Sequence, residues 1–365
     1  MEPMEKGPRI YALKEGVRVF RSGDEIRFRK GVWSYTEAVV RLAGQEERVV
    51  RFFNAVYEAL VRAHEANPEV IGSEVGANAE QIASYCGLLE NLKRQQFLYD
   101  NDQRDVARTV GALLGGSLSG FAEGVGILRP VLFLTDSDYI REAAKTLSKE
   151  IGLALDFLDD ETIQTLATAD LTTRIDAVKH KETEASLEKV FRPYACVLGC
   201  VAGPNISMLR NLNRLLIATE KPLILGLIDG PFISVLGTLA IETGCFECYE
   251  QRMLARLEDT VVYHRFVEST AKGANTTGPW FSAQMHMLMA AVISEGLIYS
   301  GLGLMRLAGR IVNIYLPLLE IQVQDLLRVP YCPACGFISK AQMNEAYTST
   351  TRLVTEMLTN IELEG

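Results

Sequence analysis

Over the first hundred residues, apolar and polar positions alternate with a period of two and then with a period near that of a helix. Gly16 to Arg21 and Glu25 to Lys30 alternate on either side of Ser22-Gly23-Asp24, which predicts an antiparallel hairpin. Tyr35 to Leu42, ending at Gly44, forms a third run, and its adjacent Val39 and Val40 favour a strand over a helix. From Glu46 to His64 the apolar positions Val49, Phe52, Phe53, Val56, Tyr57 and Leu60 recur at three- and four-residue steps. Arg48, Arg51, Glu58 and Arg62 lie opposite them, so this segment predicts an amphipathic helix. A shorter element follows from Pro68 to Val75. The last helix runs from Ala79 to about Gln95, capped by Asn78, with Ile82, Tyr85, Leu89 and Leu92 on one face. Three strands followed by three helices is a winged-helix pattern, expected over residues 1–103.

From Arg129 the rhythm becomes strand, helix, strand. Val131 to Leu134 and Ala154 to Leu158 read as strands, and Tyr139 to Ile151 as a helix carrying Ile140, Ala143, Ala144 and Leu147 on one face. After a polar segment from Asp159 to Lys189 the theme returns, with a strand from Tyr194 to Val201, a helix from Asn205 to Thr219 and a strand from Pro222 to Ile228. The expected fold is α/β: a winged-helix domain followed by a doubly wound, Rossmann-like domain over 129–365. Residues 104–128 would join them as a linker or helical connection, and the glycine-rich run Gly111 to Gly120 within it reads as flexible.

Composition narrows the function. The chain has 365 residues, a net charge of −9 and 48% hydrophobic residues, which suits two globular domains and excludes disordered, collagenous and coiled-coil classes. The apolar stretches Leu223 to Ile241 and Met285 to Leu307 are broken by Asp229, Glu295 and Arg306, so no membrane span is expected. The charged opening MEPMEKGPR lacks the apolar core of a signal peptide, and seven cysteines is an odd number for a secreted disulfide framework. A cytoplasmic location is expected. Acidity argues against nucleic acid, and the last helix of the first domain offers only Lys93 and Arg94 as cations, both near its end. Residues 9–30 instead hold seven basic against three acidic side chains, a charge that would attract an acidic peptide. Strand addition beside a sheet is the recognition mode this composition fits.

The turn after the first α/β strand decides whether the second domain can hold nucleotide. A phosphate cradle needs a glycine loop there, and this chain has Thr135-Asp136-Ser137-Asp138. Two carboxylates favour the helix dipole and repel a triphosphate, so no ATP is expected on this chain.

The strongest local signal is a pair of CxxC motifs, Cys245-Phe-Glu-Cys248 and Cys332-Pro-Ala-Cys335. Four thiolates close a tetrahedral Zn²⁺ site, and a site with no open position is structural. The alternatives are a redox disulfide at either pair or four buried thiols. Cys86, Cys196 and Cys200 lie in apolar contexts and read as packing. None of His64, His180, His264 and His286 has a neighbour that marks a nucleophile or metal cluster, and Glu295 reads as a buried helix-interface residue. No catalytic residue is assigned.

The succession Ala195 to Val201, Asn211-Leu-Asn-Arg214, Lys221 to Gly226, Gly230 and Thr243 to Arg252, closed by Cys332-Pro-Ala-Cys-Gly336, resembles a ThiF-like, ubiquitin-activating-type adenylation domain. A winged-helix module ahead of it is similar to the ThiF-like partner proteins of azole-forming cyclodehydratases, which act on ribosomally made peptides (RiPPs). In that family the first module is a RiPP recognition element: the precursor's leader joins its sheet and lies against the third helix. The resemblance implies a docking strand at Val39, Val40, Arg41 and Leu42, and a helix face at Ile82, Tyr85, Leu89 and Leu92. It also implies partners: the leader peptide, a separate YcaO-type subunit that binds ATP, a flavin dehydrogenase, and a second copy of the chain. The expected function is a non-catalytic scaffold that presents the core peptide for azoline and azole formation. The alternative is a ThiF-like enzyme that adenylates a peptide by itself.

Overall fold

The computed structural model describes residues 9–100, 105–118, 125–126, 128–169, 171–172, 177–240, 242–270 and 281–336. Gly120 and Ile241, the last residues of the glycine-rich run and of the apolar stretch from Leu223, lie outside them. The chain divides into two compact units, 1–125 and 126–365.

The first unit contains β1 (Tyr11–Leu13), β2 (Val17–Ser22), β3 (Glu25–Lys30), β4 (Thr36–Arg41), α1 (Glu47–Ala63), β5 (Glu65–Ala66), α2 (Pro68–Glu74), α3 (Ala79–Arg94), β6 (Leu98–Asp100) and α4 (Asp105–Leu118). The expected hairpin is β2–β3, and β4 pairs antiparallel to β3 to complete a three-stranded sheet in the order β2-β3-β4. A second small sheet, β5-β1-β6, has strands of only two or three residues, too short for their periodicity to be read from sequence. One core joins these elements. Ile26, Phe28 and Ala38 from the sheet meet Phe52, Phe53, Val56 and Leu60 of α1 and Tyr85, Leu89 and Leu92 of α3. Asn78 caps α3 reciprocally with Gln81. The glycine-rich run does not begin as a loose connection: it is helical as far as α4 extends, because Ala107, Val110 and Leu114 bury one face, and only Gly115 departs from helical geometry at φ 69°.

The second unit contains β7 (Val131–Thr135), α5 (Asp138–Glu150), β8 (Leu155–Phe157), α6 (Asp160–Thr168), α7 (Ala177–Phe191), β9 (Val197–Val201), α8 (Ile206–Ala218), β10 (Leu223–Asp229), β11 (Phe232–Thr238), α9 (Phe246–Leu254), α10 (Thr260–Thr270), α11 (Ser282–Leu302), β12 (Arg310–Tyr315) and β13 (Glu320–Asp325). They form a seven-stranded sheet ordered β13-β12-β11-β10-β9-β7-β8, parallel from β10 to β8 and antiparallel from β10 to β13. Strand alternation sends Leu223, Leu225 and Leu227 towards the core cluster that includes Leu209, Leu212 and Leu216 of α8. The intervening Gly226 faces α11, where an added Cβ would meet Leu288 and Val292 at 3.0–3.3 Å. Helices thus cover both faces, as a doubly wound sheet requires.

α11 is long and apolar enough to cross a bilayer. Its Leu288, Val292, Ile293 and Leu297 are nevertheless fully buried, and Glu295, 1% exposed, sits among them. The Glu295 carboxylate accepts from Arg306 Nε at 2.8 Å and from Leu307 N at 2.9 Å, fastening the helix to the segment that follows it.

Candidate functional site

The four cysteines named from sequence come together. Cys245 and Cys248 lie at the start of α9, and Cys332 and Cys335 in the turn after β13, all 4% exposed or less. Their sulfurs lie within 4.8 Å of one another, with Cys245–Cys248 at 3.8 Å, Cys245–Cys332 at 3.6 Å and Cys248–Cys335 at 3.3 Å. A disulfide would need about 2.05 Å. A tetrahedral ion with metal–sulfur bonds of about 2.3 Å places its ligands about 3.8 Å apart, close to what is seen. The cluster can therefore hold a metal ion, and no pair in it is a disulfide.

Local structure prepares this geometry. Gly244 N donates to Leu326 O, and a Cβ on Gly244 would strike that carbonyl at 2.5 Å. Gly336 N returns to Cys332 O at 2.9 Å, closing the second knuckle. Donors point at the sulfurs, among them Val329 N at 3.3 Å from Cys248 Sγ and Asn213 Nδ2 at 3.6 Å from Cys245 Sγ. Such bonds spread thiolate charge and fix ligand orientation. Asn213 Oδ1 also accepts from Phe246 N at 3.0 Å, so this buried amide ties α8 to the ligand-bearing helix.

Beside the cluster lies a polar cleft of about 500 Å³. Its walls are braced by Arg210, whose fork binds Glu250 at 2.6–3.1 Å, and by Arg214, which binds Glu247 at 2.9 and 3.0 Å. Tyr263 Oη donates to Glu250 at 2.6 Å, and burial together with that carboxylate pushes its pKa up. Sequence reasoning missed this network although each half was visible: arginines four apart on α8, and glutamates on either side of Cys248.

Of the remaining cysteines, Cys196 and Cys200 are fully buried in the core, whereas Cys86, expected to be packing too, is only half-buried. Burial pushes the Cys196 thiol up to about 12 and raises that of Cys200. His64 terminates α1 in the left-handed region, His286 lies against Tyr139 at 5.2 Å between ring centroids, and His264 lines the cleft.

In the first unit, Val39, Val40 and Arg41 fall in β4, with Leu42 just beyond. Among the described residues nothing pairs with the outer edge of this strand. Leu42 N donates to Asp24 O at 2.8 Å, and Leu42 lies opposite Asp24 in register. Antiparallel pairs alternate between bonded and non-bonded, so Val40 and Ala38 also direct their backbone groups at β3. Glu37, Val39 and Arg41 direct theirs outward.

On α3 the face chosen by periodicity is the one turned inward. Tyr85, Leu89 and Leu92 are 5%, 0% and 6% exposed, and Tyr85 stacks on Phe52 at 4.6 Å. Ile82 is half-buried and close against Gly72 of α2. A ligand could not reach Tyr85, Leu89 or Leu92 without opening the core. The outward side of α3 instead exposes Ala83, Gly87 and Leu88.

The turn after β7 also departs from expectation. Ser137 caps α5, accepting from Ile140 N at 3.4 Å. Asp138 projects into solvent, and Asp136 reaches away from the helix to the segment following β9.

These features define a two-unit α/β protein with a buried four-cysteine cluster able to hold a metal ion. Among solved structures, the heterocyclase TruD shares this fold, with a TM-score of 0.58 at 18% identity over 92% of this chain and 44% of that one. A heterocyclase in complex with substrate and cofactor gives 0.58 at 14% identity, over 90% and 39%. The chain therefore spans less than half the length of either. MccB of E. coli, solved with MccA, reaches 0.49 at 12% identity over 90% of this chain and all of that one. No family model and no curated protein matches the chain.

Proposed function

We propose that this chain is the leader-peptide-binding partner of an azole-forming cyclodehydratase, and that its first unit is a winged-helix RiPP recognition element. The observation that carries this reading is β4, an edge strand whose outward backbone groups, at Glu37, Val39 and Arg41, are placed to receive an added strand. Arg27, Arg29 and Arg41 flank the exposed Val39 on that sheet, balanced by only Glu25 and Glu37, which suits an acidic peptide.

The second unit is read as ThiF-like, with Zn²⁺ held structurally by Cys245, Cys248, Cys332 and Cys335; four protein sulfurs leave no coordination position for water. The shared fold with about two-fifths of a heterocyclase supports a division of labour. A separate YcaO-type subunit would bind ATP and carry out cyclodehydration, and this chain would deliver the substrate in the cytoplasm. Titrations with leader alone, core alone and full precursor test the reading. Equal binding of leader and precursor, with none of the core, is expected; binding that does not require the leader would refute it.

A further inference from the structure

The parallel strands run in the order β8-β7-β9-β10, so the connection through α5 leads from β7 to β8 on one side while β9 returns on the other. Divergence of this kind opens a crevice outside the carboxyl ends of β7 and β9, where open α/β sheets seat their ligands. In this chain the crevice presents backbone donors, the N–H groups of Ala202 and Gly203 just past β9. Asp136, directly after β7, points its carboxylate at them. Oδ1 and Oδ2 accept from Ala202 N at 3.1 and 3.0 Å, and Oδ2 accepts from Gly203 N at 2.8 Å. Successive amides converging on one anion form a nest, the arrangement with which backbone holds phosphate. Neither adjacent helix needs Asp136 as a cap: Ser137 serves α5, and Asn205 serves α8 by accepting from Met208 N at 3.1 Å.

We infer that Asp136 is a built-in anion occupying a phosphate-type seat at the crevice, tying the ends of β7 and β9 together and keeping phosphoryl groups out. An incoming phosphate must displace the carboxylate from three hydrogen bonds while being repelled by it. Asp138, two residues on and fully in solvent, adds a second negative charge at the same turn. The crevice is thus closed by the chain itself, and its amides become available to an external anion once the side chain is shortened.

The test uses the full chain and inorganic pyrophosphate as probe, with binding read by calorimetry and by melting shift, for wild type, Asp136→Ser and Asp136→Asn. Wild type should take up no pyrophosphate at millimolar concentration. The serine variant should bind at least about tenfold better, as expected when one or two charge-assisted bonds become available. Asn, which keeps an acceptor but loses the charge, should gain less, and it serves as the measured variant if serine does not fold. Adding Ala202→Pro to Asp136→Ser should abolish the gain by removing one of the two N–H donors. Wild type binding as tightly as the variants would overturn the inference, as would folded variants that gain nothing. Leader titration on the same proteins separates the two proposals, because Asp136 lies outside the unit that contains β4: unchanged leader binding is expected throughout.

Discussion

The alternation of backbone direction along β4 permits a test that side-chain deletion cannot give. Proline at Val39 removes an outward N–H, the kind an added strand needs, and leaves the bonds between β3 and β4 intact; edge positions tolerate proline for this reason. Proline at Val40 removes a donor to Ile26, its partner in register, and so attacks the sheet itself. One net hydrogen bond contributes about 0.5–1.5 kcal/mol, and ring crowding against the incoming strand adds to the loss. Val39→Pro should therefore weaken leader binding by about 1–2 kcal/mol, roughly five- to thirtyfold in Kd, with the melting temperature nearly unchanged. Val40→Pro should lower the melting temperature of the unit, leaving the Ile26 carbonyl without its donor. Val39→Ala, which keeps the N–H, should bind almost as wild type does. Fluorescence polarisation with a labelled leader, alongside circular dichroism of each variant, reads all three. If Val39→Pro is folded and binds the leader as tightly as wild type, β4 is not the dock.

Three further outcomes are expected. Chelation, or Cys332→Ser, should abolish stoichiometric zinc by elemental analysis and strongly destabilise the second unit; by the loop-closure estimate used for cross-links, opening an 87-residue tie costs roughly 4–5 kcal/mol. Glu295→Ala should cost about 2–3 kcal/mol in urea unfolding, because Leu307 N loses its acceptor and Arg306 keeps only partial access to water. Asp159 caps α6 through Thr162 N and Oγ1, bonds that hold its carboxyl below the ordinary range. A depressed folded pKa means this stabilisation is present above the unfolded value and lost as pH falls through the folded one. Asp159→Ala should then cost about 1 kcal/mol at neutral pH and less as acid protonates the carboxyl, measured as the difference from wild type.

The strands and helices that were legible in the sequence are those long enough to show a period. α1, with Phe52, Phe53, Val56 and Leu60 buried, and β3, with Ile26 and Phe28 buried between polar neighbours, could be read position by position. The strands β1, β5 and β6 could not, since two or three residues carry no period. The four-cysteine cluster was legible because CxxC is itself a geometric statement about two sulfurs on one turn. The inward orientation of Tyr85, Leu89 and Leu92 was not, because a hydrophobic stripe marks a surface that avoids water without saying whether a core or a ligand covers it. Asp136 was visible as a charge in the wrong place for a phosphate, but which amides it holds depends on β9 returning beside β7, a fact of topology that no local pattern contains.

The cysteine cluster also sets an order of events during synthesis. Its first pair emerges from the ribosome with α9, and its second 87 residues later, after α10, α11 and the β12–β13 hairpin have been made. Until then the nascent chain exposes two thiols that can take up a wrong ion or be oxidised. With zinc at this cluster, as proposed, completion of the second unit is a late step that waits on the metal.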